Sequence, residues 1–285
     1  MNAGSRLITL NGVNVTSSFG YSGTATSASS GGTVTLSPGT NTLSAKICDQ
    51  SGRCTTQTTG YTYDGVAPAI DITPGSQTTG ASSLSVLITW DDDRALNDAS
   101  RVIRLNGDTV TSAFTYDFGE GDVDMQSEAR ITLVPGPNTL IAEICDVAGN
   151  CNAAVATYSR EATAPTVAVT PASGAYRFAS REATFELCDD TSLSEASFTV
   201  TLNGTQDVTV DFEYVGGGKA GCGAYATANG VVSLSAGSNT LEGRICDGYN
   251  NCRTGRADYT YDGSLPAVSV NPAGGDYEDA SRPVT

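Results

Sequence analysis

Three seven-residue stretches closed by cysteine at both ends recur along the chain: "CDQSGRC" from Cys48 to Cys54, "CDVAGNC" from Cys145 to Cys151 and "CDGYNNC" from Cys246 to Cys252. Thiols at this spacing suit a metal, a redox couple or a disulfide. A structural zinc site takes four nitrogen or sulfur ligands. Here the chain has no histidine, and each loop offers two cysteines about a domain length from the next pair. Redox motifs place two residues between the cysteines, beside a βαβ unit, and neither condition is met. The staple remains. A tight hairpin brings facing residues within the ~4.4–6.8 Å Cα separation that a disulfide accepts. The expected bonds are Cys48–Cys54, Cys145–Cys151 and Cys246–Cys252, each closing a ring worth roughly 2 kcal/mol. Cys188 and Cys222 have no counterparts in the other copies, and as the remaining pair they are expected to anchor "GGGKAGCGAY". A loop of that length is worth about 3–4 kcal/mol. Cysteines all held in disulfides imply an oxidising compartment outside the cytoplasm.

Carboxylates are the second chemistry on offer. Asp91, Asp92 and Asp93 precede "RALNDAS", and Asp189 with Asp190 precedes "TSLSEAS", so paired acids recur in one loop. Calcium takes six to eight oxygens, and Asp92, Asp93, Asp189 and Asp190 are the candidates to supply some of them. The plainer reading, preferred here, is a solvated turn in an acidic protein. The run "EGDVDMQSE" from Glu120 has no acidic counterpart in the other copies. Asn14 and Asn203 stand in N-x-T sequons, which matter only in a glycosylating source. Without histidine there is no Ser-His or Cys-His nucleophile pair, and no Gly-rich loop opens a helix. No catalytic residue and no cofactor is expected.

The elements carrying these groups form a tandem array. "APAIDITP" at Ala67 returns as "APTVAVTP" at Ala164 and as "LPAVSVNP" at Leu265. "TLNGVNVTSSF" at Thr9 returns at Arg104 and Thr201, and "SPGTNTLSAKICD" returns as "VPGPNTLIAEICD" and "SAGSNTLEGRICD". Pro68 to Pro165 is 97 residues and Pro165 to Pro266 is 101. Within each copy apolar residues alternate as in strands with one buried face: Leu140, Ala142 and Ile144, matched by Leu43, Ala45, Ile47 and by Leu241, Gly243, Ile245. Trp90, the single tryptophan, is in phase with Leu84, Val86 and Ile88 and belongs in the core. The "LNG" triplets read as tight turns, six or seven strands fit each copy, and nothing reads as a helix.

A formal charge of −16, from 31 acids against 15 bases, disfavours nucleic acid and anionic membrane surfaces as partners. No apolar run is long enough to span a bilayer, and the first residues lack a signal peptide's pattern.

The Pro-led first strand, the "LNG" hairpin, the "G-x-NTL-x-x-x-ICD" strand and the closing "YTYDG" at Tyr61 and Tyr259 together resemble the bacterial immunoglobulin-like repeats of large surface proteins, adhesins and extracellular fibres. The resemblance implies an all-β fold of tandem immunoglobulin-like β-sandwiches arranged end to end as a rod, at the cell surface or outside it. Residues 1–66 are then an incomplete repeat lacking its opening strands. Residues 67–163 form a repeat, 164–264 a repeat with a disulfide-anchored insertion, and 265–285 the opening strands of another. Unlike the inter-sheet cysteines of antibody domains, the repeated cysteines fall out of phase with the buried set. The expected role is a structural segment of a fibre or stalk, the alternative an adhesin or receptor-binding module meeting sugar or protein through its loops. The incomplete ends suit either a window of a longer array or strand addition between copies joined head to tail.

Overall fold

The computed structural model describes residues 1–117, 123–271, 274–276, 278 and 281. Positions 120–122 of the acidic run and the remaining positions of the tail lie outside the described residues. The chain divides into two compact units, one of residues 1–78 with 82–160 and one of 79–81 with 161–285.

In the first unit, residues 69–160 supply two facing sheets. One has the order Thr115–Asp117, Asp124–Thr132, Ser83–Asp91, Ala69–Thr73. The other runs Asp108–Thr109, Leu96–Leu105, Gly136–Asp146, Cys151–Arg160, Gln77–Thr79. The period-2 pattern explains the pairing: Val86, Ile88 and Trp90 point inward from one sheet and Leu140, Ala142 and Ile144 from the other. Each large side chain removed from water in this way contributes about 1.5–3 kcal/mol. The Trp90 indole N–H donates to Ser127 Oγ at 3.0 Å, so its one polar atom is satisfied in the core.

Residues 166–261 of the second unit repeat the same two sheets, from Thr166–Thr170 through Cys252–Tyr261. The short strand Gly174–Tyr176 runs parallel to the last one. Phe185, Leu187, Val200, Leu241 and Ile245 fill the core. Glycine at 243 is required: a Cβ there would overlap the ring of Phe185. The equivalent Ala142 has room because Ile88 stands where Phe185 does.

Residues 2–63 form one sheet, Val13–Asn14, Asn2–Leu10, Gly39–Cys48, Cys54–Tyr63, and a separate hairpin of Phe19–Gly23 with Ala28–Gly32. Among the described residues, no strand stands where Ser83–Asp91 stands in the next copy. The expectation that Leu43, Ala45 and Ile47 are buried therefore fails: Ala45 is exposed and the other two are half-covered, whereas Leu140 and Ala142 are fully buried. Alternation prepares a face for burial, but a facing sheet must complete it.

Two repeated devices fix the corners. Asn41, Asn138 and Asn239 are buried in strands. Each donates its amide to carbonyls four and two residues back, and accepts the backbone N–H four residues back. Asn11, Asn106 and Asn203 sit at φ of 53–56° in the "LNG" turns. They donate to those buried amides and accept from the strand N–H at Thr42, Thr139 and Thr240. The second device corrects the expectation of no helix. One-turn 3-10 segments occur at Thr16–Ser18, Thr111–Ala113 and Thr209–Asp211. The leading threonine of each accepts the N–H of Ile8, Ile103 or Val200 at 2.8 Å, so a side chain replaces a ladder bond at the strand edge.

Candidate metal centre

The "CD" pair of each stapled loop assigns its residues to opposite faces. Cys145 leaves the core, while Asp146, one position on, falls in phase with Leu140, Ala142 and Ile144. Cys145 and Cys151 face each other in register with Cα atoms 3.9 Å apart, closer than the separation expected from sequence. The pairs Cys48–Cys54 and Cys246–Cys252 match it, and Cys188–Cys222 closes with Cα atoms 5.5 Å apart. None of the eight cysteines is free.

Inside the ring, Asp146 organises the turn. Its Oδ1 accepts the backbone N–H of Gly149 at 2.6 Å and of Asn150 at 2.9 Å, and its Oδ2 accepts Asn150 Nδ2 at 2.7 Å. Asp49 and Asp247 hold their loops in the same way. Burial works to raise the Asp146 pKa, but the bonds from Asn150, Gly149 and Ala148 outweigh it and hold the carboxyl below its ordinary value.

Asp92 follows the strand Ser83–Asp91, in phase with the inward-pointing Trp90 and only 6% exposed. Its Oδ1 accepts the N–H of Arg94 at 2.8 Å, while its Oδ2 is buried without a hydrogen-bond partner. Burial raises its pKa, a pull that the Arg94 bond opposes and that repulsion from Asp146, Asp64 and Asp93 reinforces. Asp64 follows the strand Cys54–Tyr63 and is half-buried. Its Oδ1 accepts the N–H of Val66 at 3.1 Å, and its Oδ2 is likewise buried and unpartnered. Asn150 Nδ2 donates to the Asp64 backbone carbonyl at 3.3 Å, tying this segment to the stapled loop. One carboxylate oxygen from each of Asp64, Asp92 and Asp146 lies within 4.8 Å of the other two.

Of the four calcium candidates named from sequence, the structure brings only Asp92 into this group. Asp93 and Asp190 are exposed, because adjacent residues at a strand end take opposite faces. Asp189 is buried at the position equivalent to Asp92, and its Oδ2 is also unpartnered. Its neighbours differ. Glu161 stands where the preceding copy has Asp64, and its longer side chain reaches both Asn251 Nδ2 and Asp247. Burial first, then the bond shared with Asp247, raises the Glu161 pKa. Asp247, despite burial, is lowered by its bonds to Glu161 and Asn251. Asp64, Asp146, Glu161 and Asp247 were not singled out from sequence. The signal available was the recurrent "ICD", whose aspartate continues the buried alternation.

The two sandwiches share one strand arrangement: leaving aside the two- and three-residue strands Gln77–Thr79 and Asp108–Thr109 and their equivalents, the first, second, fourth and fifth strands lie in one sheet and the third, sixth and seventh in the other. That arrangement defines tandem immunoglobulin-like β-sandwiches. No family model matches the chain, and no curated protein does. Similar solved structures include an I-band fragment of titin, at 10% identity and TM-score 0.43 over 90% of this chain and 87% of that one. The C-terminal domain of the Streptococcus pyogenes antigen I/II-family protein AspA is 14% identical, TM-score 0.34, over 68% and 98%. The Streptococcus agalactiae AgI/II polypeptide BspA C-terminal domain is 13% identical, TM-score 0.33, over 68% and 99%. Likenesses this distant carry nothing about function. Among the described residues, no helix is long and apolar enough to cross a membrane.

Proposed function

We propose that the chain is a structural segment of an extracellular fibre or cell-surface stalk, built from disulfide-stapled immunoglobulin-like repeats and without catalytic activity. The observation that carries this reading is the recurrence of one stapled hairpin on the same strand pair in all three copies. Each staple joins two facing residues of one strand pair and secures the end of a sheet, with Cys246 of the third staple itself buried. Such reinforcement suits a module that persists outside the cell, beyond reducing systems and chaperones. The incompletely covered face of residues 2–63, with Leu43 and Ile47 half-open, is one that a further strand would cover, and head-to-tail joining of copies is one source of it.

The alternative, an adhesin or receptor-binding module, draws on the elaborated stretch Gly216–Gly223. That stretch is tied down on its own sheet. Gly216 and Gly217 continue a strand against Ala226 and Tyr225, Lys219 pairs with Glu186 at 2.8 Å, and Cys222 is bonded to Cys188. A free recognition loop is better served by exposed side chains than by this anchoring, so the structural role is preferred.

Labelling of intact source cells tests the reading. A membrane-impermeant amine reagent should reach Lys46 and Lys219, and alkylation under denaturant should find no free thiol. Protein inaccessible until lysis, with its thiols reduced, would overturn it.

A further inference from the structure

We propose that Asp64, Asp92 and Asp146 hold a divalent cation, with calcium the species that suits the donors. All three ligands are carboxylate oxygens, the hard donors that calcium prefers at about 2.3–2.6 Å, and oxygens on one such ion lie up to roughly 5 Å apart. The three oxygens here lie within 4.8 Å of one another. Desolvated carboxylates require a compensating partner. None of the ion pairs among the described residues involves these three. Hydrogen bonds satisfy Asp146 and one oxygen of each of the others, which leaves Asp92 Oδ2 and Asp64 Oδ2 buried without a donor. Asp92 Oδ2 belongs to a residue more than nine-tenths buried, so bulk solvent does not reach it.

The second sandwich supplies an internal comparison. There Glu161 extends to Asn251, whose side-chain amide donates to the carboxylates of both Glu161 and Asp247, so a hydrogen-bond donor stands between the two acids. The three-way convergence of oxygens occurs, among the described residues, only at Asp64, Asp92 and Asp146. The ion therefore fastens the segment leading into Ala69–Thr73 onto the ends of Ser83–Asp91 and Gly136–Asp146. Three carboxylates with further oxygens from backbone or water place it with extracellular modules, whose dissociation constants are about 10⁻⁴–10⁻³ M. This inference stands on the geometry alone and does not depend on the fibre reading.

Trp90 lies two residues before Asp92, so terbium bound at the site is read by sensitised luminescence. Wild type should give saturable emission that calcium displaces at about millimolar concentration. Asp189→Asn should behave as wild type, whereas Asp92→Asn and Asp64→Asn should each lose at least about tenfold in affinity, where 1.4 kcal/mol is tenfold. Circular dichroism of the metal-free variants verifies that they fold, and Asp64→Asn, on a half-buried residue, keeps the test open if Asp92→Asn does not. Absence of saturable emission, unchanged affinity in both variants, or loss only in Asp189→Asn would overturn the assignment. Displacement by magnesium at lower concentration than calcium would overturn the choice of ion.

Discussion

Asp92 and Asp146 bring carboxylate oxygens within 4.8 Å of each other at the end of one sandwich, and the two are perturbed in opposite directions. Burial and neighbouring charge raise the Asp92 pKa, while loop hydrogen bonds lower that of Asp146. A group whose folded pKa is raised above its unfolded value binds more protons when folded, so its contribution to stability falls as pH rises through the folded value. In metal-free protein, Asp92→Asn should therefore be more stable than wild type at pH 7. The advantage should shrink on acidification, as Asp92 takes up its proton. Asp146 contributes the opposite way, losing stability as pH falls through its lowered value. Urea midpoints from pH 4 to 7 measure both, and an advantage independent of pH would contradict the assignment of charge to Asp92.

The staples differ in worth because their rings differ in size. Replacing Cys145 and Cys151 by serine should cost about 2 kcal/mol, and replacing Cys188 and Cys222 about 3–4 kcal/mol. The first pair should also weaken cation binding, because its ring holds Asp146 and Asn150. Denaturant unfolding and terbium titration on the two double variants measure these effects. Equal binding in both would separate the staple from the site.

A large residue and its compensating small one mark the second core. Gly243→Ala should destabilise by about 1–3 kcal/mol, since the added methyl overlaps Phe185. Phe185→Ile in the same chain restores the pairing that Ala142 and Ile88 already use. The double variant should recover most of the loss of Gly243→Ala. A strictly additive cycle would show that the two positions do not contend for the same space.

The two sequons are not equivalent. The Asn203 amide donates to Asn239 and its oxygen accepts from Thr240, in a turn with φ of 56°. Asn14 is exposed, its oxygen accepts the Thr16 N–H, and its side-chain amide makes no bond among the described residues. Asn203→Gln should cost about 1–3 kcal/mol and Asn14→Gln within about 0.5 kcal/mol. Thermal melting of both variants checks this, and a glycan found at Asn203 in folded protein would contradict the corner.

Much of the architecture is legible along the chain, because strand alternation and turn residues are local signals. Asn-Gly at positions 106 and 107 gives positive φ, and Leu140, Ala142 and Ile144 give the buried face. Asp146 continues that face and could have been read as inward-pointing. Asp93 could not have been separated from Asp92 without knowing where the strand phase survives its end. Asp64 and Asp146 are brought together only by tertiary folding, so no spacing rule finds them. The openness of Ala45 was equally hidden, since its own strand is normal and its facing sheet decides its burial.

Diffraction from crystals grown with calcium, recorded where calcium scatters anomalously, tests the central claim most directly. The account predicts an anomalous peak about 2.3–2.6 Å from oxygens of Asp64, Asp92 and Asp146, and none at Asp189. A map with no anomalous peak there, with Asp92 Oδ2 hydrogen-bonded to Asp146 or Asp64 as a protonated acid, would contradict it.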